Sequence, residues 1–210
     1  MNPIVVIGEG GHGKVIQDII SIGKVYKVIA ILDDKYTETI ESNSILFGPV
    51  VYAKEIIKNM KVEFIIAIGN NDIRKSIADS LTEAGVKFAV VIHPAASVSP
   101  TVHIDEGTVV MAGSVINADV TIGRHAIINS GAIVEHDNRI GNYVHISPGV
   151  ILTGNVEIGE GSHIGAGATV IPGKKIGDWS IIGASATVID NIPNGVTALG
   201  LPAKVIKNLN

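Results

Sequence analysis

Counted in steps of six from Ile92 to Val188, every landing residue is aliphatic, seventeen positions without an exception. Among them are Ile116, Ile122, Val134, Ile140, Ile146, Leu152 and Ile164. Four residues after each comes a second, usually small or β-branched residue, such as Ala126, Ala132, Val144, Val150, Val156, Ser162, Ala168 or Ala186. Glycine often follows the aliphatic residue directly, at Gly123, Gly141, Gly159, Gly165, Gly177 and Gly183. A period of six is neither the 3.6 of a helix nor plain alternation. It reads as short strands separated by tight turns, with these glycines supplying positive φ at the corners.

This repeat resembles that of the left-handed parallel β-helix, in which three six-residue units close one triangular coil. Residues 18 apart then stack on one face, about 4.8 Å from coil to coil. Seventeen repeats at three per coil give between five and six coils. The resemblance also accounts for an odd composition, 46% hydrophobic residues with only 4% aromatics. A narrow prism accepts Ile, Val and Ala inside and has no room for rings.

The first 91 residues follow another rule. Pro3–Ile7 reads as a strand, Lys14–Ile22 as a helix and Tyr26–Leu32 as a second strand. Tyr52–Met60 reads as a helix, Glu63–Ile68 as a strand, Ile73–Ala84 as a helix and Lys87–Ile92 as a last strand. Alternating β and α implies a small parallel sheet of Rossmann type. The expected divisions are residues 1–91 for this α/β domain, 92–192 for the β-helix and 193–210 for a C-terminal cap. Within that cap, Gly200–Lys207 is expected to form a short helix over the open end of the last coil.

Composition narrows the chemistry. A net charge of −4 argues against a nucleic-acid partner held by phosphate neutralisation. Zero cysteines exclude a disulfide scaffold, a thiolate metal site and a cysteine nucleophile, and fit a cytoplasmic protein. No apolar run approaches the roughly 20 residues that span a bilayer, and the opening MNPIVVIGEGG has no basic segment of a signal peptide.

Gly8-Glu9-Gly10-Gly11-His12-Gly13 follows a strand and opens a helix, where backbone N–H groups would hold a diphosphate. Asp33-Asp34 lies about 20 residues on, where an acid meets a ribose hydroxyl. About 90 residues hold one mononucleotide-binding half, so a nucleoside diphosphate fits better than NAD. Ile68-Gly69-Asn70-Asn71 ends a later strand at the same sheet edge, either as a ligand contact or as a plain helix start capped by Asn71 or Asp72. In the repeat region, Glu135-His136-Asp137 stands out: a histidine followed by a carboxylate is a candidate general base, against the alternative of a solvated corner. Ala118 and Gly154, one coil to either side, leave room beside the imidazole. His145 sits half a coil from His136, so one subunit cannot easily bring both to one point. His163 stacks 18 residues beyond His145, but the histidine spacing does not suit a metal site, and none is expected.

Taken together, these residues resemble the bacterial hexapeptide-repeat sugar acyltransferases of the PglD/NeuD type. The resemblance rests on Gly11-His12-Gly13, Leu32-Asp33-Asp34, Ile68-Gly69-Asn70-Asn71, His93-Pro94, Asn129, Glu135-His136-Asp137 and Gly200-Leu201-Pro202-Ala203-Lys204, and so spans nearly the whole chain. It implies an acetyl-CoA-dependent N-acetyltransferase acting on a nucleotide-linked, usually UDP-linked, amino sugar in glycan or polysaccharide biosynthesis. It implies that Gly10, Gly11, His12, Asp33, Asp34, Asn70 and Asn129 contact the sugar nucleotide, and that His136 is the base with Asp137 behind it. It further implies that His145, Gly154, Ala166 and Ala184 line the acetyl-CoA groove, and that a homotrimer forms sites between subunits. Some relatives carry glutamate where this chain has Asp137. Sugar or sialic acid O-acetylation, an NAD-dependent oxidoreductase and a non-catalytic nucleotide-binding β-helix remain as alternatives.

Overall fold

The computed structural model describes residues 1–209 and divides into two compact units, Met1–Pro94 and Ala95–Asn210. In the first, β1 (Asn2–Ile7), α1 (Gly11–Gly23), β2 (Tyr26–Leu32), β3 (Ile40–Ser42), β4 (Ile45–Gly48), α2 (Ala53–Asn59), β5 (Glu63–Ile66), α3 (Asn71–Glu83) and β6 (Lys87–Phe88) follow in order. The sheet order is β3-β4-β2-β1-β5-β6, parallel throughout except for β3. Ile4, Val5, Val6 and Ile7 in central β1 are fully buried, the continuous apolar run of a strand covered on both faces. Ile16, Ile19 and Ile20 form the inward stripe of α1. The β3–β4 hairpin was not expected, and the strand anticipated over Lys87–Ile92 is broken into Lys87–Phe88 and Val91–Ile92.

In this sheet the chain leaves β1 for β2 on one side and reaches β5 on the other. Ligands of open α/β sheets bind at such a switch point, outside the carboxyl ends of the strands. The glycine turn, Asp33-Asp34 and Ile68–Asn71 all lie at that edge.

The second unit is a left-handed parallel β-helix of two-residue strands on three faces. The first face carries Val109–Val110, Ile127–Ile128, His145–Ile146, His163–Ile164 and Ile181–Ile182. The second carries Val115–Ile116, Ile133–Val134, Ile151–Leu152, Thr169–Val170 and Thr187–Val188. The third carries Thr121–Ile122, Arg139–Ile140, Glu157–Ile158 and Lys175–Ile176. Every partner on these faces lies 18 residues away, and the second residue of each pair points into an aliphatic core.

The corners correct one expectation. Left-handed φ falls three residues after the aliphatic position, in columns such as Gly107/His125/Tyr143/Gly161/Trp179 and Asp119/Asp137/Asn155/Gly173. The glycines directly after the aliphatic residue have ordinary φ. Gly123, Gly141, Gly159, Gly165 and Gly177 are there because a Cβ would strike backbone of the next coil. Rings are excluded from the interior, yet the two aromatics of this unit find a place at a corner. Tyr143 stacks on His125 at 5.4 Å, and the Trp179 ring covers Gly161.

The end of the chain is a hairpin and not a helix. Val196–Leu199 adds in parallel to Ile181–Ile182, and Lys204–Asn208 returns antiparallel to it. Gly200, at φ 100°, turns the chain back, and the β-branched Thr197, Val205 and Ile206 suit an extended backbone. The hairpin therefore supplies the edge protection expected of a helix with strand hydrogen bonds instead.

Candidate active site

At the sheet edge of the first unit, the glycines divide the work. Gly8 needs its φ of 103°, and a Cβ on Gly13 would collide with the Gly8 carbonyl. A Cβ on Gly10 or Gly11 would meet nothing within 4 Å, so open space lies beside the start of α1. That helix start has no side-chain cap and no acidic residue in its first turn, which leaves its N–H groups and positive dipole end unneutralised.

His12 lies in this first turn. Burial, and then the charge of Arg74, push its pKa down to about 4, so the imidazole is neutral near pH 7. Its buried Nε2 has no hydrogen-bond partner among the described residues. Asp33 is occupied with the turn itself: Oδ2 accepts from the Glu9 N–H at 2.8 Å and Oδ1 from the Lys35 N–H at 3.0 Å. Asp34 accepts from the Val50 N–H at 3.0 Å. Glu9 in turn receives the Tyr36 hydroxyl at 2.6 Å and the Lys35 ammonium at 3.0 Å.

The cap of α3 is Asn70, whose Oδ1 accepts from the Ile73 N–H at 2.9 Å; it was expected at Asn71 or Asp72. Asn71 instead accepts from the Arg74 guanidinium at 2.8 Å. Arg74 is a buried neighbour of His12 that sequence reasoning missed. It is 0% exposed and also donates to the carbonyls of Ile68 at 2.9 Å and Gly69 at 3.2 Å. Its signal was an arginine on the buried stripe of α3, between Asn71 and Ala78.

In the β-helix, His136 lies at the corner after the second face. Its Nδ1 is 2.7 Å from Asp137 Oδ2, so the carboxylate fixes the proton on Nδ1. Nε2 has no protein partner among the described residues, and with the proton on Nδ1 it carries a lone pair. The hydrogen bond that His136 donates to Asp137, aided by the charges of Asp137 and Glu135, holds the His136 pKa above the usual histidine value. Glu135 itself accepts from Asn117 at 2.8 Å. The corner is strapped from inside by Asn138, another unforeseen residue. It sits fully buried in the file that holds Val120 and Val156, donates to the carbonyls of Glu135 and Thr153, and accepts from the Val156 N–H at 2.9 Å.

His145 lies on the first face, stacked on His163 with ring centroids 4.7 Å apart. Asn129 Oδ1 accepts from the Ser130 N–H at 2.8 Å, which turns its amide nitrogen toward His145 Nε2 at 3.1 Å. Neutral His145 therefore carries its proton on Nδ1. Ala166 and Ala184 stand exposed, one coil apart, at the corner beyond this face, whereas Gly154 lies under His136. The chain thus assembles His136, Asp137 and Gly154 at one place and Asn129, His145 and His163 at another. Among the described residues no group of three or more His, Asp or Glu is placed to hold a metal ion, and no helix is long and apolar enough to cross a membrane.

The family model described as the PglD N-terminal domain matches residues 3–81, and that of the GMPPB C-terminal domain matches residues 76–182. The perosamine N-acetyltransferase PerB of Caulobacter crescentus, solved with CoA and GDP-perosamine, is 37% identical; the match covers 99% of this chain and 98% of that one at a TM-score of 0.91. This chain belongs to the PglD-type family of hexapeptide-repeat sugar acetyltransferases. Within that family, the acetyltransferase domain of PglB from Neisseria gonorrhoeae, solved with acetyl coenzyme A, is 35% identical, covering 98% of this chain and 100% of that one at a TM-score of 0.87. UDP-N-acetylbacillosamine N-acetyltransferase of Bacillus subtilis (strain 168) is 46% identical over 114 residues, which are 53% of this chain and 52% of that protein. The matched stretch thus spans about half the length of that curated relative.

Proposed function

We propose that this protein transfers the acetyl group of acetyl-CoA to the amino group of a UDP-linked amino sugar, without a metal. The observation that carries this reading is His136, with Nδ1 held by Asp137 and Nε2 left open. The amine nitrogen attacks the thioester carbonyl carbon, and Nε2 takes the proton that the nitrogen sheds. The C–S bond then breaks, and the departing CoA thiolate recovers that proton from the imidazolium. Asp137 stabilises the imidazolium in between. The absence of cysteine from the chain agrees with direct transfer.

The sugar nucleotide is assigned to the glycine turn, with its phosphates at the start of α1 beside Gly10, Gly11 and His12, and to Asp33, Asp34, Asn70 and Asn129. Acetyl-CoA is assigned to His145, Gly154, Ala166 and Ala184. Because His136 and His145 stand on different parts of one prism, a thioester reached by both requires a neighbouring copy, which supports a homotrimer with sites between subunits. Its place is the cytoplasm, where acetyl-CoA is made. UDP is the nucleotide named for the curated relative that is 46% identical over 114 residues, which supports the choice of a UDP-linked acceptor.

The test is acetyl-CoA offered with a panel of UDP- and GDP-linked amino sugars and their hydroxy counterparts, following free thiol. Thiol release that depends on a UDP-amino sugar is expected. Release only with hydroxy sugars, or none with any acceptor, overturns the assignment.

A further inference from the structure

We propose that Gly154 is a positioning residue for the catalytic base: its bare Cα is the seat that lets the His136 ring lie against Asp137. This deepens the reading of His136 as the base and rests on it.

Most glycines of the β-helix have a backbone reason to be glycine. Gly107, Gly113, Gly131, Gly149, Gly161, Gly167 and Gly173 adopt left-handed φ, and others would push a Cβ into main chain of the following coil. Gly154 has neither reason. Its φ lies outside the left-handed range, and the three atoms nearest to an added Cβ all belong to one side chain, the imidazole of His136. Cε1 and Nε2 would stand 2.7 Å away and Nδ1 3.4 Å away. The ring is thus fixed from two directions. Asp137 holds Nδ1 from the same coil, and the empty space over Gly154 receives the Cε1–Nε2 edge in the next. A methyl group at 154 leaves the backbone unstrained and displaces the exposed ring, which must give up its place beside Asp137.

The experiment is a double-mutant cycle with G154A, H136A and the pair, read by chemical denaturation, together with the pH profile of kcat/KM for G154A. G154A should cost more stability in the presence of His136 than in the H136A background, since the atoms nearest to the added methyl group are those of the ring. In turnover, G154A should lower kcat by about tenfold or more, and the acid limb should move to lower pH as the ring loses Asp137. Equal destabilisation in both backgrounds overturns the proposal. So does a raised KM for acetyl-CoA with kcat and the acid limb unchanged, which would make Gly154 only a wall of the CoA groove. If G154A does not fold but the pair does, the coupling is established by that difference. Near-normal turnover by H136A would instead remove the base assignment and leave the stability coupling intact, so the two failures are distinguishable.

Discussion

Asp137 adopts φ 60° and turns its carboxylate back onto the ring of the residue before it, 2.7 Å from His136 Nδ1. Aspartate tolerates this left-handed corner better than most residues. Its short arm and the corner conformation therefore suit each other. Replacing His136, the proposed base, is the first test. H136A should lower kcat by roughly 10²–10⁴ while the dissociation constant for the sugar nucleotide, measured by calorimetry, changes little.

The proposed role of His136 makes Asp137 the residue expected to set the pH profile. The base must be neutral, so kcat/KM falls as pH drops through the raised His136 pKa. D137N removes the main cause of that rise. The acid limb of the pH–rate profile should move to lower pH, and the plateau should fall by on the order of 10- to 100-fold, because the ring loses both its fixed tautomer and the partner of its imidazolium.

Asn138 holds the same corner from the core side. N138V copies its neighbours Val120 and Val156 in size but leaves the buried Val156 N–H and the Glu135 carbonyl without their partner. Denaturant unfolding should show a loss of about 1–3 kcal/mol, with a fall in kcat that exceeds any change in KM.

On the first face, Asn129 decides where His145 keeps its proton. Nitrogen-detected NMR should find the Nδ1–H tautomer, and N129A should shift the ring toward Nε2–H.

His12 links pH to stability in the first unit. Its folded pKa of about 4 lies below the usual histidine value of 6.5, so between these pH values the unfolded chain binds the extra proton. Stability contributed by the neutral ring is therefore complete above pH 6.5 and lost as pH falls through the window, by about 2 kcal/mol at pH 5. H12Q should flatten that part of the stability curve, measured by denaturant unfolding at pH 7 and pH 5.

The β-helix was legible because one steric demand, a small aliphatic side chain facing a crowded axis, recurs every six residues from Ile92 to Val188. The glycine turn was legible because its φ and close-approach needs fall on Gly8 and Gly13. What stayed hidden depends on tertiary context. Arg74 looks like any surface arginine until α3 is turned onto the sheet, and Asn138 looks like a turn residue until its neighbours in the file are seen to be valines. The hairpin at Ile40–Gly48 sits in a polar stretch with little alternation, and its pairing with β2 comes from the sheet edge. The C-terminal hairpin was misread because Ala203–Lys207 has a composition that either secondary structure accepts.

The strict stacking of residues 18 apart also gives the β-helix a phase. An insertion of six residues between His136 and His145 would leave every aliphatic side chain pointing inward, and the fold would absorb it. Everything downstream would nonetheless rotate by one face, carrying His145, Ala166 and Ala184 to a different side of the prism. Only an insertion of a whole coil returns them to the same side, and then one storey higher. The spacing of functional residues in this chain is thus set by arithmetic modulo a coil, a tighter rule than the one that governs its folding.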